Sequence, residues 1–168
     1  MARIRRAMPS DAEGMAVTVA EGFTAYAEFA PEGWTAPDRL EFALGIAVRL
    51  RSPHVRAWVA EDEGQQVGHV TYLPASESRA PIDDPSLAHL EQLFVRPSHF
   101  GTGVARRLLA LAAGDARDAG FTQMRLATPV AHARARRFYQ RQGWRPVGDV
   151  LTGEPIGLDL QEYRIRLT

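Results

Sequence analysis

Two stretches hold the residues whose types and spacing can do chemistry. The first, LFVRPSHFGTGVARRLL over residues 93–109, reads as a strand, a glycine turn and the start of a helix. Gly101 and Gly103 let the backbone approach a ligand with no Cβ in the way. The amides of Gly103, Val104, Ala105 and Arg106 are then first-turn donors without an intrahelical partner, at the positive end of the helix dipole. Such a turn can seat a phosphate or pyrophosphate, and Arg106 and Arg107 add charge beside it. The same residues also make an ordinary glycine-capped turn. The second stretch, LATPVAHARARRFYQRQGW over residues 126–144, places Ala135, Phe138, Tyr139 and Gln142 at i, i+3, i+4 and i+7, one face of a helix. Tyr139 is there either as a core aromatic or as a phenol, neutral at pH 7, that can give up a proton.

Proton acceptors are fewer. Glu91 precedes the glycine turn on the strand that carries Leu93 and Val95, and by alternation on the same face as both. It is either a base or a solvated or arginine-paired strand charge. His89 shares that face and is a second candidate. His132 opens the Tyr139 helix and is a third, or a helix cap. His69 and His99 read as surface or packing residues. The five histidines form no HExxH and no close pair, so no metal is expected. Upstream, Phe23, Tyr26, Phe29 and Trp34 cluster; they either frame an amine with apolar walls and cation–π contact or pack helices onto a sheet. Glu21, Glu28 and Asp83 are carboxylates that could attract a cationic acceptor.

These residues need positioning elements. A strand is expected over residues 3–6. Ser10-x-x-Glu13 is a capping-box pattern for a helix over about 11–27. A second helix is expected over about 37–50, with Leu40, Ala43, Leu44 and Ala47 on its apolar face. Residues 56–61 and 66–73 read as a hairpin turning at Asp62-Glu63-Gly64, followed by a polar loop over 75–87. A strand over 89–95 leads to the glycine turn. A helix over 103–119 follows, with Val104, Leu108, Leu111 and Ala112 inward and Gly120 as its stop. A strand over 124–127, a helix over 131–142 ended by Gly143, and strands over 145–149 and 158–167 complete the chain. Early antiparallel strands and a strand–helix–strand–helix middle give an α+β class with a mixed sheet.

Composition sets limits. The chain has 168 residues, 20 basic against 20 acidic, and no cysteine. That length suits one domain, residues 1–168. The lack of cysteine excludes a disulfide scaffold, a thiolate zinc site and a cysteine nucleophile. All the basic residues are arginine, so no Schiff base and no P-loop lysine is possible. No apolar run approaches a membrane span, and the first ten residues lack the apolar region of a secretory signal; a cytoplasmic, membrane-free protein is expected. Balanced charge argues against nucleic-acid binding, although Arg134, Arg136, Arg137 and Arg141 line one helix. A Rossmann fingerprint needs a third glycine where Arg106 stands, and a Walker loop needs the missing lysine.

Residues 95–105 resemble motif A of the GNAT N-acetyltransferase superfamily, V-x-P-x-x-(Q/R)-x-x-G-x-(G/A). Val95, Pro97, Gly103 and Ala105 match, and Phe100 stands where the family has Gln or Arg. Residues 132–144 resemble the family's N-x-x-A-x-x-F-Y-x-x-x-G-F/W. Ala135, Phe138, Tyr139, Gly143 and Trp144 match, and His132 replaces the usual Asn. The resemblance covers residues 55–150 strongly and 1–54 only in element order. It implies a GNAT-like fold, a central mixed, mostly antiparallel sheet of about six to seven strands flanked by about four helices. It implies an acetyl-CoA-dependent N-acetyltransferase (EC 2.3.1.-), with direct attack by a primary amine of a small molecule or peptide in a ternary complex. Acetyl-CoA would lie against Leu93, Phe94, Val95, Phe100, Gly101, Thr102, Gly103, Val104, Ala105, Arg106, His132, Arg134 and Tyr139. Tyr139 would serve as acid to the CoA thiolate and Glu91 as base. Phe23, Tyr26, Phe29 and Trp34 would line the acceptor pocket. Homodimers are common in the family. Propionyl- or succinyl-CoA remain open as donors, and a non-catalytic acyl-CoA-binding sensor is the alternative.

Overall fold

The computed structural model describes residues 1–152 and 156–168. Seven strands form one sheet: β1 (Arg3–Arg6), β2 (Arg56–Asp62), β3 (Gln65–Pro74), β4 (Leu87–Val95), β5 (Gln123–Pro129), β6 (Arg145–Leu151) and β7 (Leu160–Arg166). Their order is β1-β2-β3-β4-β5-β7-β6. Every pairing is antiparallel except β4 with β5. Four helices flank the sheet: α1 (Ala12–Thr24), α2 (Arg39–Arg49), α3 (Val104–Asp118) and α4 (Ala133–Arg141). This is the expected mixed, mostly antiparallel sheet with four helices.

The two faces carry separate cores. On one, α3 and α4 cover Val70, Tyr72, Leu90 and Val95, with Leu108 fully buried, a side chain worth about 1.5–3 kcal/mol in transfer terms. On the other, α1 and α2 pack Met15, Val19, Phe23 and Ile46 against Val59 and Phe94. The β2–β3 turn is the two-residue type that strand twist favours, with Glu63 and Gly64 both at positive φ.

Some local expectations are corrected. Ser10 does not cap α1. The helix is entered through a 3-10 turn, Pro9–Asp11, and the Asp11 carboxylate accepts from the Met8 amide at 2.7 Å. Arg5 holds that carboxylate at 2.8 Å, which keeps it below the usual range. The expected first helix stops at Thr24 and continues as a 3-10 turn, Ala25–Glu28. In α2, Leu40 and Leu44 point to solvent with Val48, while Phe42, Ala43, Ile46 and Ala47 face the core. Both stripes have helical spacing, and only packing against α1 chooses between them. In α3, Leu111 is exposed and Leu109 takes the inward place.

Candidate active site

The site begins where the sheet splits. β4 and β5 pair through three residues only, Leu87 with Gln123, Ala88 with Met124 and His89 with Arg125. Beyond them β4 stays with β3 to Val95 and β5 stays with β7 to Pro129. The strands therefore part, and a cleft of about 1630 Å³ opens between them, walled also by the glycine turn and α4.

One edge of β4 is left with its backbone unpaired in this cleft. The Arg96 amide donates to the Val67 carbonyl at 2.8 Å, which fixes that residue's backbone toward β3. In an antiparallel ladder the direction alternates. Phe94 therefore also faces β3, and the N–H and C=O groups of Leu93 and Val95 face the open side.

The glycine turn is shaped by backbone conformation rather than by crowding. Gly101 and Gly103 have φ of +79° and +84°, and a Cβ on either would meet nothing within 4 Å. The left-handed angles need glycine, and the space above them is open. Gly103 is the N-cap of α3, with no side-chain cap. The first helical bond runs from the Arg107 amide to the Gly103 carbonyl at 3.1 Å, so the amides of Val104, Ala105 and Arg106 precede the helical ladder. The Val104 side chain itself is core, 3% exposed; only its backbone belongs to the turn. These donors, over an open space, fit a pyrophosphate.

Phe100 and Arg134 meet at the cleft's mouth. The Arg134 guanidinium lies over the Phe100 ring, 3.3 Å from its centroid. Tyr139 lies deeper, between Phe138 and Trp144, with ring centroids 5.2 and 5.8 Å away. Burial pushes its phenol above the ordinary tyrosine value, with Tyr26 adding to the shift, so it is protonated at neutral pH.

The β4 face assignment is corrected. Thr71 pairs with Gln92 but Tyr72 pairs with Leu90, so Glu91 is the extra residue of a β-bulge, which breaks period-2 alternation. Leu93 and Val95 pack toward α3, whereas Glu91 turns to α2 and binds Arg49 at 2.8 Å. Glu91 does not share their face. Its carboxyl is raised by burial, against the lowering effect of Arg49 and Arg79. His89 is pushed down to about 3 by burial, Arg125 and Arg49. His132 is pushed down to about 4 by burial and Arg134. Both are neutral and weak as proton acceptors, so among the three candidates only Glu91 has its basicity raised.

The aromatic cluster forms and does two jobs. Phe23, Tyr26, Phe29, Trp34, Phe42 and Phe94 pack on one another. His132 caps the group by stacking on Phe29, with centroids 4.9 Å apart. Phe23, Tyr26 and Phe29 line the cleft. Trp34 stands behind them, its indole donating to the Ile156 carbonyl at 2.9 Å. Glu28 lines the cleft, Glu21 pairs with Arg96 at 3.4 Å, and Asp83 is exposed off the cleft wall. His69 is fully buried, donating to the Gln92 side-chain carbonyl at 3.0 Å, and His99 pairs with Asp62 at 3.3 Å.

Three arginines and one carboxylate escaped the sequence. Arg49, Arg79, Arg125 and the partner carboxylate Glu162 converge around His89 and Glu91. Only Arg125 carried a local signal, a charge between Met124 and Leu126 on an apolar strand. Among the described residues no group of three or more metal-ligating side chains is found, and no helix is long and apolar enough to cross a membrane.

Known proteins share this chain's family and fold. The model of the acetyltransferase (GNAT) family matches residues 19–144. N-acetyltransferase family 8 member 2 of Rattus norvegicus is 36% identical over 95 residues, covering 56% of this chain and 41% of that protein; the match thus spans about two-fifths of that relative. The crystal structure of an acetyltransferase of the GNAT family from Staphylococcus aureus superposes with a TM-score of 0.75 at 16% identity, over 100% of both chains. A Salmonella typhimurium protein solved with its cofactor acetyl-CoA superposes with a TM-score of 0.72 at 19% identity, over 100% of this chain and 95% of that one.

Proposed function

Since this chain belongs to the acetyltransferase (GNAT) family, we propose that it transfers an acetyl group from acetyl-CoA to a primary amine of a small molecule or peptide, by direct attack in a ternary complex. The carrying observation is the three-residue β4–β5 pairing and the cleft beyond it. It sets an anion-binding turn, an unpaired strand edge and a protonated tyrosine around one space.

Acetyl-CoA supplies an activated thioester. The first-turn amides of α3 hold its pyrophosphate, with Arg106 and Arg134 beside them, and the Leu93 and Val95 backbone pairs with its arm. A Leu93 or Val95 N–H faces the carbonyl oxygen as it gains negative charge, a contribution of roughly 10²–10³ in rate. Glu91 takes the proton from the attacking amine, directly or through water, because an ammonium has no lone pair to attack with. Tyr139 gives its proton to the departing sulfur. The lack of cysteine agrees with direct transfer, since no thiol is present to carry the acetyl group. A cytoplasmic location and a homodimer belong to the same proposal.

Release of CoA thiol, followed with DTNB across a panel of amines, tests this reading. Thiol release that needs both acetyl-CoA and an amine supports it. Silence across the panel, together with no acetyl-CoA binding by calorimetry, overturns it. Binding without turnover in both the native protein and Tyr139→Phe would leave the sensor reading in its place.

A further inference from the structure

The cleft is rich in arginine at the end where the two strands begin to part. Where β4 and β5 part, Arg79, His89, Glu91 and Arg125 share the wall. A side cavity of about 280 Å³ runs from there beneath α2, past Arg49, Thr71 and Gln92. Arg79 lines both spaces.

The carboxylates here are already matched. Glu91 binds Arg49 at 2.8 Å. Glu162 binds Arg164 at 2.7 Å and Arg125 at 3.4 Å. Arg79 makes no hydrogen bond or ion pair among the described residues and is exposed to the cleft. Three guanidiniums that line these spaces, those of Arg49, Arg79 and Arg125, thus stand against the carboxylates of Glu91 and Glu162, with Glu41 at the solvent rim of the side cavity. The Arg125 Nε and His89 Nδ1 atoms are buried without partners, so the polar floor is not self-satisfied. Burial, with Arg125 and Arg49 adding to it, pushes His89 down to about 3.

A positive field does two things to an acceptor. It favours loss of the ammonium proton, which the chemistry requires. It also attracts a substituent of opposite sign, and a free guanidinium beside a cavity is a carboxylate fork. We propose that the acceptor is a small amine that carries an acid group, an amino acid in the simplest case, and that Arg79 binds that group at the junction of the cleft and the side cavity. This deepens the acetyl-transfer reading and rests on it.

The test uses α-, β- and γ-amino acids, and for each the matching amide and the matching alkylamine. In the native protein the acids have the lower KM. In Arg79→Gln their KM rises about tenfold, as expected for a lost charged hydrogen bond. The KM for the amides, for the alkylamines and for acetyl-CoA stays put. Alkylamines and amides used as well as the acids, or an equal response of all three series to Arg79→Gln, overturns the proposal while acetyl transfer stands. If no amine turns over, the same comparison is made by calorimetry on N-acetylated acids and their amides. Selective binding of the acids, lost in Arg79→Gln, supports the proposal; equal binding, or none, overturns it.

Discussion

The guanidinium of Arg134 lies 3.3 Å from the centroid of the Phe100 ring. One residue belongs to the glycine turn and the other to α4, so the contact joins the two sides of the cleft mouth. It also bears on the departure at Phe100, where related motifs carry Gln or Arg. The contact sets a cationic side chain from α4 on the aromatic ring that stands at that position. Arg134→Ala is expected to weaken acetyl-CoA binding about tenfold, the sum of a phosphate contact and a cation–π contact of about 0.5–2 kcal/mol. Phe100→Arg in the same background restores part of the loss. Calorimetric Kd values at two salt concentrations check both, since the Arg134 contribution shrinks as salt rises.

Tyr139→Phe removes one oxygen from a buried ring stack. The expected result is a fall in kcat of roughly 10²–10⁴ with acetyl-CoA affinity kept. Because burial raises the phenol's pKa, Tyr139 stays protonated through neutral pH. The native enzyme should therefore show no alkaline decline in kcat near the ordinary tyrosine range. Steady-state kinetics across pH, paired with calorimetry on the variant, measures this.

Glu91 must be ionised to accept a proton, so activity rises with pH as its carboxyl titrates. Burial places that limb above the usual carboxylate range, and Arg49 holds it down. Removing the cation destabilises the ionised form, so Arg49→Ala should move the acid limb to higher pH. Glu91→Gln should abolish the limb along with most of kcat. His89→Gln should leave it in place, because His89, at about 3, does not titrate there. The pH profile of kcat/KM decides among these outcomes.

Gly22 on α1 touches Phe94 of β4. A Cβ at Gly22 would come within 2.5 Å of Phe94 Cδ1. Gly22→Ala should therefore push the Phe94 ring and cost about 1–3 kcal/mol of stability. Because Phe94 lines the cleft, KM for the acceptor should change as well. Urea unfolding reads the first effect and kinetics the second. Gly45→Ala, where a Cβ meets nothing within 4 Å, is the control.

What the sequence disclosed was mostly local. The glycine turn and the α4 face are set by residues within a few positions of one another, so motif and spacing were enough. The β-bulge at Glu91 was not visible, because it is a property of how β4 registers against β3, some twenty residues away. Alternation therefore put Glu91 on the wrong side. Arg49 and Arg79 were missed for the same reason: each is an ordinary surface arginine until folding brings it to Glu91. On α2 the sequence offered two apolar stripes, and only contact with α1 selects Ile46 over Leu44.

Three rungs hold the middle of the sheet. The molecule is in effect two sub-sheets, β1 to β4 and β5 to β7, zipped at one end like a clothes-peg. Any ligand that grips both lips acts as a clasp across that seam. The slowest-exchanging amides of β2, which lines no part of the cleft, should then report its presence with no contact to it.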